Sequence, residues 1–120
     1  MRFLIVDDSS LARIRLTEYI QELGFEIAGE AVDGEDAIEK FKELNPDIVA
    51  IDLEMPGIKG NIASRKILEI NPDVNIILVT SIVDKKEIVS ALKMGVKKVI
   101  RKPFTKEQLE RIVKELEKAK

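Results

Sequence analysis

Five short strand-like runs, separated by stretches of helix length, constrain this chain more than any other feature of it. They are Phe3-Leu4-Ile5-Val6, Phe25 to Ala31, Ile48-Val49-Ala50-Ile51, Ile76-Ile77-Leu78-Val79 and Val96 to Ile100. Each is too short for a stable helix and reads as an unalternating strand, the pattern of strands buried on both faces. The stretches between them carry helix punctuation. Ser9 or Ser10 offers an N-cap to a helix whose apolar positions Ala12, Leu16, Tyr19, Ile20 and Leu23 follow the 3.6-residue period, and Gly24 closes it. Asp33-Gly34 opens a helix with Ala37, Ile38, Phe41 and Leu44 on one face, stopped at Asn45-Pro46. A third helix starts near Gly60 and ends at Ile70 before Asn71-Pro72-Asp73, and a fourth runs from Asp84 to Met94 and Gly95. Thr105 caps the last, with Leu109, Ile112, Val113 and Leu116 facing inward. Strand and helix thus alternate five times, which predicts an α/β domain: a doubly wound, five-stranded parallel sheet with helices on both faces. The chain, 1–120, is expected to be a single domain.

In such a sheet the functional site lies outside the carboxyl ends of the strands. The residues arriving there are Asp7 and Asp8 after strand one, Asp52 at strand three, Thr80 at strand four and Lys102 at strand five. Taken singly, each has an ordinary explanation. Asp52 is a strand end reaching water, Asp8 a helix cap, Thr80 a strand end and Lys102 a surface lysine. Taken together they do not. Three converging carboxylates repel one another unless a cation sits among them. Oxygen-only ligands select a hard divalent ion, and Mg²⁺ suits an open site that accepts a phosphate oxygen. With the Lys102 ammonium and the Thr80 hydroxyl, the set fits phosphoryl transfer with Asp52 as nucleophile.

Composition narrows the alternatives. With neither Cys nor His in the chain, disulfides, thiolate or imidazole metal sites and histidine-dependent nucleophiles are excluded. No apolar run approaches the ~18 residues of a membrane span. A strand starting at Arg2-Phe3 leaves no room for a signal peptide, so a cytoplasmic location without membrane attachment is expected. Residues 1–60 carry 14 acidic and 6 basic side chains, while residues 61–120 carry 8 and 14. The basic half alternates Lys with Glu, as in Lys106-Glu107 and Lys114-Glu115, and aromatic residues are few, so a solvated surface is expected and not direct nucleic-acid binding.

The ordered set Leu4-Ile5-Val6-Asp7-Asp8-Ser9, Asp52 followed by Met55-Pro56 and Gly60, Thr80-Ser81, and Lys102-Pro103-Phe104 resembles the receiver domain of two-component response regulators. It is similar to the stand-alone chemotaxis type over essentially the whole chain. The resemblance implies a flavodoxin-like fold with strand order 2-1-3-4-5 and a single receiver domain. Asp52 would be the phosphoacceptor, with Mg²⁺ held by Asp7, Asp8, Asp52 and the backbone carbonyl of Glu54. Thr80 would be the switch hydroxyl and Lys102 the phosphate contact, with a cis peptide before Pro103. The donor would be a sensor histidine kinase or a histidine phosphotransfer protein. The output would be contact with an unidentified downstream protein target, from a chain that is monomeric and assists its own phosphorylation and dephosphorylation without being a classical enzyme.

Several positions depart from the family pattern. Val99 stands where many relatives carry an aromatic that swings inward with the threonine, so the partner surface of which it is part is expected to change less. Glu54 and Ile82 flank the site at positions that influence phosphate lifetime, and Lys59 occupies a loop where relatives often carry an acid. Leu11 and Ile14 fall off the core stripe of the first helix, beside the acidic site, and are expected to contact the donor. The nearest alternative is a degenerate receiver acting as a phosphorylation-independent binding module. A haloacid-dehalogenase-type phosphohydrolase would place Asp-x-Asp after strand one, where this chain has adjacent aspartates. No glycine-rich nucleotide loop is present.

Overall fold

The computed structural model describes residues 1–81 and 84–119. Five strands, β1 (Arg2–Val6), β2 (Glu26–Ala31), β3 (Ile48–Asp52), β4 (Asn75–Thr80) and β5 (Lys98–Arg101), form one sheet in the order β2-β1-β3-β4-β5. Every pairing is parallel. The helices are α1 (Ser10–Glu22), α2 (Gly34–Leu44), α3 (Gly60–Ile70), α4 (Lys85–Met94) and α5 (Lys106–Lys118). The expected doubly wound α/β architecture and strand order are both present.

Strand alternation sorts the core into two layers. Leu4, Val6, Val49, Ile51, Ile76 and Leu78 point to one face and meet Ala37 and Phe41 of α2, Ala63 and Ile67 of α3 and Ala91 of α4. Phe3, Ile5, Ile48, Ala50, Ile77 and Val79 point to the other and meet Leu16 and Ile20 of α1 and Leu109, Val113 and Leu116 of α5. Each fully buried Leu, Ile or Phe stabilises by about 1.5–3 kcal/mol, and both faces of the three central strands are filled this way.

The two edge strands differ from the sequence reading. β2 is largely half-exposed, because it has a strand neighbour on one side only. β5 begins at Lys98 and not at Val96, since the Val96 N–H is taken by Ala91 O at 3.1 Å and finishes α4. Lys97 N–H then reaches Ile76 O at 3.0 Å and sets the register of the strand.

The caps fall where the side chains require them. Ser9, Asp33, Asp84 and Thr105 accept from backbone N–H groups of α1, α2, α4 and α5. Thr105 forms a capping box with Gln108. Lys59, with no side-chain cap to offer, precedes α3, whose position is fixed otherwise: Gly60 N–H donates to Leu53 O at 2.9 Å. A Cβ on Gly60 would lie 2.9 Å from Leu53 Cα and 2.8 Å from the Asp52 carbonyl carbon, and it would overlap the Asp52 carbonyl oxygen. Only glycine lets α3 start this close to the end of β3. No helix among the described residues is long and apolar enough to cross a membrane.

Candidate functional site

The sheet delivers its polar strand ends to one edge, beside the point between β1 and β3 where strand order reverses. Asp52 ends β3 and is 9% exposed; Asp7 follows β1 at 6%, and Thr80 ends β4 at 1%. Carboxylate oxygens of Asp7, Asp8 and Asp52 lie within 4.8 Å of one another, with Asp8 the most exposed of the three. Lys102 enters from the far end of the sheet. Its Nζ donates to Asp7 Oδ2 at 2.7 Å and to Asp52 Oδ2 at 3.4 Å. The backbone N–H of Lys102 donates to Thr80 O at 2.9 Å, which ties the lysine to β4, and the Lys102–Pro103 peptide is cis as expected.

Asp7 and Asp52 are held very differently. Asp7 Oδ1 accepts from Ser9 N–H at 2.9 Å and Oδ2 from Lys102, so both oxygens are engaged at short range. Among the described residues Asp52 has only long bonds, from Glu54 N–H and Lys102 Nζ, each at 3.4 Å. Burial therefore raises its pKa above the ordinary 3.8. Lys102 pulls it down, the Asp7 charge adds to the rise, and the Glu54 N–H lowers it in part. Burial also works against the Lys102 ammonium, but the hydrogen bond to Asp7 and the charges of Asp52 and Asp7 outweigh it and raise the lysine above 10.5.

The donor set fits a hard cation. When all three aspartates are ionised, the single ammonium leaves the cluster two negative charges in excess, and every side-chain ligand is oxygen. Lys102 already bridges two of these carboxylates, which marks the space between them as one that favours positive charge.

The remaining expected residues are distributed around this centre. The Glu54 side chain turns away to Lys59 at 3.6 Å, and Lys59 also reaches Glu87 of α4 at 3.9 Å. The departure at Lys59 thus joins the loop after β3 to the first turn of α4. Leu11 and Ile14 are open to solvent at 60% and 54%. Leu11 borders a cleft of about 430 Å³ between α1 and the segment after β5, where Tyr19 and Phe104 meet edge to face at 6.0 Å. Val99 is half-buried against the core and opposite Leu78 in the sheet, beside a groove shared with Arg101 and Arg111. Ile82 lies outside the described residues.

One residue here escaped the sequence reading. Arg13, with its side chain only 17% exposed, donates from Nη1 to the Asp7 carbonyl at 2.8 Å and from Nε to Glu30 Oε1 at 3.0 Å. Its one sequence signal is an arginine one turn into the helix that follows an acidic pair, a position that a surface residue fills equally well.

Several known proteins are similar to this chain in sequence and fold. The family model for the response regulator receiver domain matches residues 3–114. The chemotaxis protein CheY of Thermotoga maritima is 42% identical over 98% of this chain and 95% of its own length. CheY of Bacillus subtilis is 34% identical over 98% and 95%. A chain in the crystal structure of the CheX-CheY-BeF3-Mg complex from Borrelia burgdorferi superposes with a TM-score of 0.93 at 30% identity, covering 97% of this chain and 88% of that one. The response regulator domain of Thermotoga maritima CheB gives 0.85 at 31%, over 95% and 94%. With the family matched across nearly all of its length and its polar strand ends gathered at one edge, this chain belongs to the response regulator receiver domain family.

Proposed function

We propose that the chain is a single-domain response regulator, 1–120, that accepts a phosphoryl group on Asp52 from a phosphohistidine. The observation that carries this reading is the contrast between the two buried carboxylates: each Asp7 oxygen already accepts a short bond, whereas Asp52 is held at 3.4 Å by its partners among the described residues and has oxygen available for bond formation. An Asp52 carboxylate oxygen attacks phosphorus, an acyl phosphate forms, the phosphorus–nitrogen bond breaks and the imidazole leaves. Lys102 neutralises charge on the incoming phosphoryl oxygens, releasing part of its hold on Asp7 and Asp52. The Thr80 hydroxyl, at the end of the neighbouring strand, turns to donate to a phosphoryl oxygen. Asp7, Asp8, Asp52 and the Glu54 carbonyl would hold Mg²⁺, which when bound offsets phosphoryl charge and orients the group for in-line displacement.

The switch is a local charge change that biases two surface states. Val99 has no ring to rotate, so its part in the output surface is to leave packing largely unchanged while Thr80 moves. Leu11 and Ile14 contact the donor, a sensor histidine kinase or a histidine phosphotransfer protein. The output is binding to a downstream protein, by a monomeric, cytoplasmic chain that promotes its own phosphorylation and dephosphorylation and contacts neither nucleic acid nor membrane.

Intact-protein mass measurement after incubation with acetyl phosphate and Mg²⁺ tests the proposal. A phosphoryl adduct is expected on the native chain and not on Asp52→Asn. No adduct from acetyl phosphate or from any histidine kinase would favour a phosphorylation-independent binding module instead.

A further inference from the structure

We infer that Arg13 is a positioning residue for the acidic pair, fixing the Asp7–Asp8 peptide so that both carboxylates address one cation; this rests on the reading of Asp7 and Asp8 as Mg²⁺ ligands. The peptide joining these residues is planar, so whatever holds the Asp7 carbonyl oxygen also sets the direction in which Asp8 leaves the strand. Arg13 Nη1 holds that oxygen at 2.8 Å. The Asp7 N–H is held by Ala31 O of β2 at 3.2 Å, which leaves the unit little freedom on either side. Asp8 needs this more than Asp7 does. Its carboxylate is exposed, with no hydrogen bond seen among the described residues, so the backbone, which sets the Cα–Cβ direction, does most to keep its rotamers within reach of a shared cation.

The brace is anchored beyond the site. Arg13 Nε pairs with Glu30 Oε1 at 3.0 Å, and the Glu30 carbonyl accepts from Lys40 Nζ of α2 at 2.7 Å, which is itself paired with Asp36 at 3.3 Å. A guanidinium can serve a carbonyl and a carboxylate in two fixed directions at once, which a lysine ammonium on a flexible stem does not reproduce. Side chains that orient ligands in this way commonly carry about 10- to 100-fold of metal affinity when they are removed.

The sign of the effect separates positioning from simple charge. Arg13 is a cation close to an anionic site, so on Coulombic grounds its removal would tighten the binding of another cation. Loss of positioning weakens it. Mg²⁺ binding by isothermal titration calorimetry, with thermal unfolding in EDTA run alongside, distinguishes them on the native chain, Arg13→Ala, Arg13→Lys and Asp8→Asn. The expected result is a Mg²⁺ Kd about tenfold weaker in Arg13→Ala, and weaker also in Arg13→Lys although the charge is kept. Should Arg13→Ala not fold, Arg13→Lys carries the test. An unchanged or tighter Kd in the folded variants, with only the metal-free Tm lowered, would overturn the assignment while leaving the metal site standing. Native protein that binds no Mg²⁺, or binding that survives intact in Asp8→Asn, would overturn the ligand reading as well.

Discussion

Replacing Asp52 by Asn should stabilise the metal-free protein, although it destroys the proposed acceptor. At neutral pH the Asp52 carboxylate sits within 4.8 Å of Asp7 oxygen, a repulsion of about 3 kcal/mol at an effective dielectric of about 20, and Lys102 at 3.4 Å returns about 5 kcal/mol of attraction. Against that balance stands desolvation of a carboxylate 9% exposed, which costs several kcal/mol with two 3.4 Å hydrogen bonds among the described residues to offset it. The net expectation for Asp52→Asn is a gain of about 1–2 kcal/mol, or about 3–8 °C in Tm for a domain of this size. Its pH dependence has a definite sign. Because the native Asp52 pKa is raised, the folded chain holds this proton more tightly than the unfolded chain does. The favourable contribution is complete below the ordinary 3.8 and is lost as pH rises through the native value. The advantage of Asn should therefore be largest near neutral pH and shrink on acidification. Asp7→Asn should instead lower the stability of the metal-free protein, by about 1–3 kcal/mol at neutral pH, since both of its oxygens accept short bonds. Calorimetric melts in EDTA across pH 4 to 7.5 measure all three proteins. Native protein as stable as Asp52→Asn at neutral pH, or a difference that does not shrink in acid, would refute the reasoning.

Four further outcomes follow from particular contacts. Gly60→Ala should lose about 1–3 kcal/mol and slow phosphorylation from acetyl phosphate, because the new methyl meets the backbone of Asp52; unaltered melting and labelling would contradict the close approach. Thr105→Ala should lower stability by about 1 kcal/mol through loss of the capping box, with labelling kinetics unchanged, as urea unfolding and mass measurement can establish. The double change Leu11→Ser with Ile14→Ser, both at exposed positions, should slow transfer from the cognate kinase but not from acetyl phosphate, and equal slowing of both would remove these residues from the donor surface. Crystals with and without beryllofluoride should differ little around Val99, which is already packed against the core, and a large rearrangement there would show that the switch does not need an aromatic ring.

Much of the fold is legible in the sequence because its signals are local. Short apolar runs, the caps at Ser9, Asp33, Asp84 and Thr105, and Gly60 close to the turn before α3 each act within a few residues, and a parallel sheet follows from their alternation. The candidate site was legible for a related reason, since a parallel sheet brings every strand end to one edge whatever the loops do. Local signals were less informative at the edges. Nothing in Val96-Lys97-Lys98 announces that Val96 completes α4 before the strand begins, because that is decided by a hydrogen bond to Ala91. Partnerships across the sequence stayed hidden as well. Arg13 reaching Asp7 and Glu30, and Lys59 reaching Glu54 and Glu87, depend on where α1 and α4 finally rest, and an arginine or lysine on a helix or in a loop looks the same with or without such a partner.

The unequal treatment of Asp7 and Asp52 also bears on why the cluster is built this way. A carboxylate tied down as Asp7 is, with a 2.9 Å amide on one oxygen and a 2.7 Å ammonium on the other, is a poorer nucleophile because each oxygen already shares one lone pair in a short bond, while a second remains for a metal. Asp52 is buried as deeply, but its partners stand off at 3.4 Å, and the raised pKa records that deficit. The same shortage that costs folding stability leaves Asp52 oxygen free to form a bond and makes a divalent cation welcome. If Asp52 is the proposed acceptor, stability and phosphoryl chemistry are therefore coupled through one side chain. Tightening the Glu54 N–H or Lys102 contacts to Asp52 would be expected to raise the metal-free Tm and lower reactivity together, because both follow from how well that carboxylate is solvated by the protein.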